Sequence, residues 1–416
     1  MGLFILQERI ATLRRNLKRA KAASLTRLEL HNVQVDDGPW MKAFNEIRRN
    51  STEELKQLDA LDADVEKGEL DASEAWKRFS EIECLSEELF RECLEMLGGL
   101  VFREMKLDEQ ICRFADELIK ECATSVANVP AFVIPSPDRV PPVDMRHVAH
   151  VRFPEWDLWA LPLVAHEYGR VAIAGSDHAR ELVGKLAQAQ YAELSGDADV
   201  LPEDVERRVQ LLLADAFATF TTGPAYACAL LLLRLDMVGA SPAERAFVGQ
   251  RADMVTGIVD ALGPKGLVDT QIRGPLMSRW EEAVASQPPA AADSTDPLAP
   301  LDLDPAEVHA ALKDAFYPGA AYTTANWHTA MQWGEEWKAQ LGNDEEPSVP
   351  RDVMAAHRLR DALNASWYVR IGDADWETKG VRVTRLLCQK IIDVRAAAAS
   401  GSGDKVRGTS RPEQGG

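Results

Sequence analysis

The sequence of 416 residues has only six cysteines, and no two of them form a C-x-x-C pair. Its first ten residues, MGLFILQERI, contain too short an apolar run for a secretory signal peptide. Scattered cysteines without such a signal are typical of reduced thiols that pack as small apolar residues. These absences predict a cytoplasmic protein that has no disulfide framework.

The sequence also lacks a long apolar run and an excess of positive charge. Residues 216–233 are uncharged, but they contain three threonines and a Gly-Pro pair, whereas a spanning helix needs about twenty predominantly apolar residues. We therefore expect two buried helix segments of a soluble core there, and no membrane partner. The net charge of −19 argues against nucleic acid as a partner. Neither a phosphate-binding G-x-x-x-x-G-K-[ST] loop nor a G-x-S-x-G nucleophile turn occurs.

Residues 1–127 have the pattern of long helices, because they nearly lack proline and show no strand-like alternation. STEE, beginning at Ser51, and DASE, beginning at Asp71, have the spacing of an N-terminal capping box. Each of these two sites is therefore predicted to start a helix. The region as a whole is predicted to be a helical hairpin or a coiled coil.

Apolar residues of this region recur at helical spacing, with Leu85, Leu89, Cys93 and Leu97 on one stripe. Such a stripe is typical of a helix that packs on another surface. One interpretation is an arm that binds a protein partner, and the other is a bundle that packs on the next part of the chain. Homo-oligomerisation is left open by the sequence.

The remaining chain is divided by proline-rich and polar segments, and its other parts are again helix-like, so the predicted fold class is mainly α. Five prolines between 128 and 144 are incompatible with a helix. The predicted order is a helical N-terminal region at 1–127, a connector at 128–145, a helical core at 146–286, a linker at 287–303, a helical C-terminal region at 304–396 and a disordered tail at 397–416. Pro202 and the pair Asp304-Pro305 are typical helix starts within these regions.

The segment LPLVAHEYGR, residues 161–170, differs at one position from the zinc-binding motif H-E-x-x-H. That motif works because two histidines one helical turn apart bind one metal ion, while the glutamate takes a proton from the metal-bound water. Here the second histidine position is Arg170, which stays protonated and cannot bind a metal.

A second segment, LLLADAFATF, has the form of the helix that completes such a site. In E-x-x-A-D-x-x-A helices, the glutamate is the third zinc ligand and the aspartate orients a ligand histidine. Asp215 fits the aspartate position, but the ligand position four residues earlier is Leu211.

Together, AHEYGR, ADAFATF and GPAY resemble a bacterial family of zincin-type metallopeptidases, whose members read H-E-x-G-H, then E-x-x-A-D-x-F-A and then G-P-A-Y. The downstream SPAER, with Arg245, is similar to the H-P-x-x-x-R stretch of many members. The resemblance covers about residues 150–260 and, more weakly, 305–395. It implies a zincin-like fold for the predicted helical core.

The resemblance implies a role for each matching residue. His166 takes the place of the first metal ligand, Glu167 that of the general base, and Asp215 that of the orienting carboxylate. Arg170 and Leu211 occupy the other two ligand positions, so two of three zinc ligands are missing. Arg170 is expected to pair with Glu167 or Asp215, or else to extend to solvent.

A zincin-like site without its ligands is expected to hold no cofactor. The resulting prediction is a metallopeptidase-like protein that is not catalytic and that binds or regulates a protein partner. One alternative is an active metal-dependent peptidase that binds zinc through a rebuilt site, for which His147, His150 and His178 are the histidines nearest the motif in sequence. The other alternative is a helical scaffold in which the motif match arose by chance.

Overall fold

The protein is described from a computed structural model of the whole chain. The residues it describes are 2–23, 39–105, 109–123, 132–136, 148–152, 158–194, 201–236, 242–262, 269–285, 301, 303–316, 318–343, 345–349, 358–372 and 386–393. The fold is mainly helical, which confirms the predicted fold class. The chain divides into two units, Met1–Asp108 with Pro130–Pro154, and Glu109–Val129 with Glu155–Gly416.

The described residues of the first unit include the long helices α1 (Gly2–Ala23), α2 (Pro39–Glu66) and α3 (Ala72–Glu104). A core of buried apolar side chains holds α1, α2 and the first part of α3 together: Leu6, Ile10, Leu58, Leu61, Val65, Ala75, Phe79 and Ile82. These residues recur at three and four along each helix, which is the spacing that places them on one face. The predicted helical N-terminal region is therefore built by ordinary amphipathic packing.

One of the two predicted capping boxes starts a helix, and the other does not. The Asp71 side chain accepts hydrogen bonds from the backbone N–H groups of Ser73 and Glu74, and it caps α3. Ser51 instead lies inside α2, where its hydroxyl donates to the Ile47 carbonyl at 2.7 Å. The prediction at Ser51 was wrong because residues before it continue the helix, and a serine within a helix can bond back to the preceding turn.

Two short parallel strands complete the first unit, and the sequence analysis did not predict them. β1 (Phe132–Ser136) pairs with β2 (Val148–Arg152), with Phe132 opposite Val148. β1 lies within the proline-rich stretch that was predicted to be a non-helical connector. Strands this short are specified mainly by the partner strand and the helix beneath them, because five residues carry little periodicity of their own.

The described part of the second unit includes the α-helices α4 to α13: Glu109–Ala123, Val164–Gly175, Asp177–Leu194, Pro202–Thr222, Pro224–Ala229, Pro242–Leu262, Gly274–Ala285, Pro305–Ala315, Thr324–Gly342 and Arg358–Gly372. Residues 386–393 are also helical. α7 begins at Pro202, and α11 begins at Pro305 behind the Asp304 cap, as the sequence predicts. α7 is central, because α5, α6, α8, α9 and α11 all pack against it.

The uncharged stretch 216–233 forms two buried helix segments, as predicted. α7 ends at Thr222, Gly223 adopts a φ of 75°, and α8 starts at Pro224. A cysteine, a tyrosine and the alanines of α8 are all buried in the unit. Within the described residues, no helix combines the length and the apolar content that crossing a bilayer requires.

Parts of the predicted organisation lie outside the described residues. They include the whole predicted tail at 397–416 and residues 287–300 of the predicted linker. Leu301, at the end of that linker, is buried. The predictions for the tail and the linker therefore remain predictions.

Candidate functional site

The site is formed where α5 and α7 approach closely, and a glycine makes that approach possible. A Cβ atom at Gly169 would lie 2.9 Å from Cδ1 of Phe217 and 3.2 Å from the Ala214 carbonyl oxygen, both on α7. Any larger residue would push the two helices apart. Gly169, the fourth residue of HEYGR, therefore brings the His166 turn of α5 against the Asp215 turn of α7.

We expect Gly169→Ala to destabilise the protein by about 1–3 kcal/mol, because the added methyl group overpacks the contact between α5 and α7. Gly184→Ala is the matched control, since Gly184 lies inside α6 and a Cβ atom there meets nothing within 4 Å. That control should stabilise by up to about 1 kcal/mol through helix propensity. Urea denaturation of both variants checks the prediction, and equal effects of the two changes would contradict it.

Asp215 is the centre of the site and is fully buried. Its Oδ1 lies 2.8 Å from Nδ1 of His166 and accepts a hydrogen bond from the hydroxyl of Tyr226. Arg251 of α9 binds both carboxylate oxygens, with Nε at 2.6 Å from Oδ2 and Nη2 at 2.9 Å from Oδ1. Burial alone would raise the pKa of Asp215, but Arg251 and then His166 outweigh burial and hold that pKa well below its usual range.

A break in the helix brings Tyr226 to Asp215. The two residues are eleven positions apart, which in an unbroken helix would separate them by about 16 Å. The turn at Gly223 and Pro224 redirects the chain, so that the tyrosine hydroxyl returns to the carboxylate. Burial, followed by the charge of Asp215, raises the pKa of Tyr226 well above its usual value. The tyrosine is therefore a neutral hydrogen-bond donor.

The break is held by a side chain from α13. Asn364 accepts a hydrogen bond from the Ala225 N–H at 2.8 Å and donates one to the Thr222 carbonyl at 2.7 Å. Arg360, one turn earlier, donates from Nη1 to the carbonyls of Thr221 and Ala320, each at 2.6 Å. These bonds satisfy backbone groups at the end of α7, at the start of α8 and at Ala320, as buried polar groups require. We call this set of contacts the α13 clamp.

Glu167 is also buried, and it is held by two arginines less tightly than Asp215 is. Nη1 of Arg170 lies 3.4 Å from its Oε2, and Nη2 of Arg234 lies 3.3 Å from its Oε1. Arg170 thus pairs with Glu167, which is one of the two partners that the sequence suggested. With 31% of its side chain exposed, Arg170 lies at the edge of the site.

His166 is buried next to Asp215 without a well-aligned hydrogen bond. Its Nδ1 approaches the carboxylate closely, but the N–H direction does not meet hydrogen-bond geometry. Burial lowers the pKa of His166, and the opposing influence of Asp215 does not overcome that effect. Arg251, which binds both carboxylate oxygens, is therefore the main balance for the charge of Asp215.

The residues of the site do not fit a zinc ion of the zincin type. The second ligand position holds Arg170 and the third holds Leu211, so His166 is the only one of the three ligands present. Among the residues that the structure describes, no three His, Cys, Asp or Glu side chains gather closely enough to bind a metal ion. His178 is exposed on α6, His150 lies in β2, and His147 is outside the described residues.

The structure brings together His166, Glu167, Arg170 and Asp215, which the sequence singled out. The sequence did not indicate that Arg251, Tyr226 and Arg234 belong to the same cluster. Arg251 lies on α9 and Tyr226 on α8, and Arg234 ends the π-helical turn Leu230–Arg234 that follows α8. The GPAY segment contains Tyr226, but its resemblance to the family motif does not indicate a contact with Asp215. Arg251 lies just beyond SPAER, where Arg245 had been matched instead.

Comparison of the chain with models of known protein families gave no match, and comparisons with curated proteins and with solved structures gave none either. The resemblance to zincin-type proteins is therefore carried by the motif residues alone.

Proposed function

We propose that the protein is a metallopeptidase-like protein that has exchanged its metal for arginine, and that it works by binding a protein partner rather than by hydrolysis. The observation that carries this proposal is the bidentate Arg251 guanidinium on the buried Asp215 carboxylate. In a zincin, that carboxylate orients a metal-bound histidine. Here its charge is balanced without a metal ion.

The contact between His166 and Asp215 supports descent from a metal site and counts against a chance match. The resemblance assigned these two residues to one orienting pair, and their side chains lie 2.8 Å apart although they are 49 positions apart in the sequence. A chance match of two short motifs gives no reason for such an approach. The scaffold of the site is therefore retained while its ligands are not.

The remaining groups are poorly arranged for hydrolysis. A general base must reach the proton that it removes, and it needs a water molecule that something else activates. Glu167 is buried and held by Arg170 and Arg234, and the ligand positions that would activate water hold arginine and leucine. Binding of a partner requires none of these groups to react.

Elemental analysis of the purified full-length protein tests the proposal. We expect no stoichiometric zinc, and the same result for His166→Ala. One zinc ion per chain that disappears in His166→Ala would overturn the proposal and favour the active-peptidase alternative. In that case Glu167→Ala should abolish peptidase activity while leaving the zinc content unchanged.

We expect the double substitution Arg170→His with Leu211→Glu to create a site that binds stoichiometric zinc. The change supplies the two missing ligands on α5 and α7, and Asp215 already lies beside His166 to orient it. Isothermal titration with zinc chloride measures the gain. Leu211→Glu alone is the control, and it should bind no zinc because it still lacks the second histidine. Equal zinc binding by the single and double variants would contradict the assignment of ligand positions.

A further inference from the structure

The second half of α3 carries a row of apolar side chains on its exposed face. The exposed fractions are 36% for Phe90, 65% for Leu94, 46% for Val101 and 65% for Met105. At 100° per residue, the first three lie within about 40° of one another around the helix, and Met105 follows at its C-terminal end. We call Phe90, Leu94, Val101 and Met105 the α3 row.

The α3 row is distinct from the face by which the helix packs within its own unit. Ser86, Leu89 and Cys93 are buried on that other face, whereas Leu85 is 47% exposed. Of the stripe predicted from the sequence, Leu89 and Cys93 are buried, Leu97 is half-buried and Leu85 is exposed. Large apolar side chains exposed in a continuous row are typical of interaction surfaces.

The row is complementary to itself when a second copy is laid antiparallel. Residues whose numbers add up to 195 then face each other, so that Phe90 lies opposite Met105 and Leu94 lies opposite Val101. Every member of the row meets another apolar member. The same register sets Arg91 opposite position 104, which is a glutamate in the sequence. A two-fold axis requires this kind of self-matching, because each contact is made twice.

A glycine lies midway along the row and at its edge, about 20° around the helix beyond Met105, and intramolecular packing does not require it. Gly98 lies in the interior of α3, and a Cβ atom there would meet nothing within 4 Å. A glycine inside a helix costs about 1 kcal/mol relative to alanine. Two helices that cross can approach most closely where one of them lacks a side chain. The two-fold axis of the antiparallel register passes beside Gly98.

We propose that the protein forms a homodimer in which two α3 helices cross antiparallel at Gly98 through the α3 row. The row is about 22 Å long, at 1.5 Å per residue. A contact of this length falls in the range of small interfaces, so the dimer is reversible and depends on protein concentration. This inference is independent of the proposed function, because α3 belongs to the first unit and the arginine-filled site to the second.

Sedimentation equilibrium of the full-length chain over a range of concentrations tests the proposal. We expect a monomer–dimer equilibrium that Leu94→Glu with Val101→Glu weakens by about 100-fold or more, because the register places like charges opposite each other. Leu85→Glu is the matched control: it replaces an exposed leucine on the opposite face of the same helix, and dimerisation should be unchanged. Mixing the double-glutamate variant with Leu94→Lys, Val101→Lys should restore the dimer.

Cysteine cross-linking separates the antiparallel arrangement from a parallel one. In a Cys84→Ser background, which removes an exposed native thiol, an equal mixture of Leu94→Cys and Val101→Cys should form a disulfide-linked dimer under mild oxidation. Neither variant should cross-link efficiently by itself. Efficient cross-linking of Leu94→Cys alone would overturn the antiparallel register.

Two other outcomes would overturn the proposed dimer, one by showing no dimer and the other by showing a dimer that uses another face of α3. A wild-type chain that stays monomeric at every concentration would do so, and a lowered melting temperature of its double-glutamate variant would then show that the chain covers the row itself. Equal weakening of the dimer by Leu85→Glu would show that a different face of the helix is used.

Discussion

Arg251→Met is expected to lower the free energy of unfolding by about 3–5 kcal/mol, because it leaves the fully buried carboxylate of Asp215 without its balancing cation. Methionine keeps most of the aliphatic length, so the loss reports on charge and hydrogen bonds rather than on volume. Of the remaining neighbours, Tyr226 is a neutral donor, and burial lowers the pKa of His166, so neither replaces the permanent charge of Arg251. Urea denaturation at pH 7 measures the change.

Arg170→Met is the matched control for this prediction. Arg170 is 31% exposed and lies 3.4 Å from its carboxylate partner, whereas Arg251 is 15% exposed and makes contacts of 2.6 and 2.9 Å. We expect the control to cost about 1 kcal/mol or less, because Arg170 is partly exposed and Arg234 still pairs with Glu167. Adding Asp215→Asn to Arg251→Met should recover part of the loss. A cost for Arg170→Met as large as that for Arg251→Met would instead make Arg170 the main replacement for the metal.

Asn364→Ala is expected to cost about 2–6 kcal/mol, since it removes the side chain that joins α13 to the break between α7 and α8. The substitution leaves the Ala225 N–H and the Thr222 carbonyl buried without these partners, and each such group costs about 1–3 kcal/mol. The same variant should also loosen the approach of Tyr226 to Asp215, because the clamp fixes the turn that redirects the chain. Urea denaturation measures the stability loss.

Ser366→Ala provides the control for the clamp. Its hydroxyl donates to the Leu363 carbonyl of the preceding turn, so its loss should cost less than about 1 kcal/mol. Both residues are buried on α13. Similar costs for the two variants would show that α13 contributes by apolar packing and not by satisfying the helix break.

The pairing of His166 with Asp215 could be anticipated only from the resemblance of AHEYGR and ADAFATF to the zincin motifs. Local spacing alone does not bring residues 49 positions apart into contact. Arg251 could not be assigned, because its position depends on how α9 packs across α7, and no periodicity encodes that. Tyr226 depends on a redirected chain, whose angle is set by α13 and not by the Gly-Pro pair alone.

In the fold, too, features set by neighbouring residues could be predicted, and features set by tertiary packing could not. Proline at the first helical turn and Asp304 as a cap predicted two helix starts, because these signals act within a few residues. The prediction of a helix start at Ser51 was wrong because the spacing of a capping box does not reveal whether a helix already precedes it. The pairing of β1 with β2 joins segments that only tertiary packing brings together.

The α13 clamp can form only late in synthesis, because the ribosome makes Asn364 long after the helix break that it holds. Ala225 and Asn364 are 139 residues apart, which at ribosomal rates of about 5–20 residues per second is roughly 7 to 28 s of elongation. During that interval the apolar chain around the Gly223 turn has been made, but the side chain that closes it has not. The nascent protein therefore passes through a stage in which this apolar segment lacks its closing contacts and is prone to aggregation.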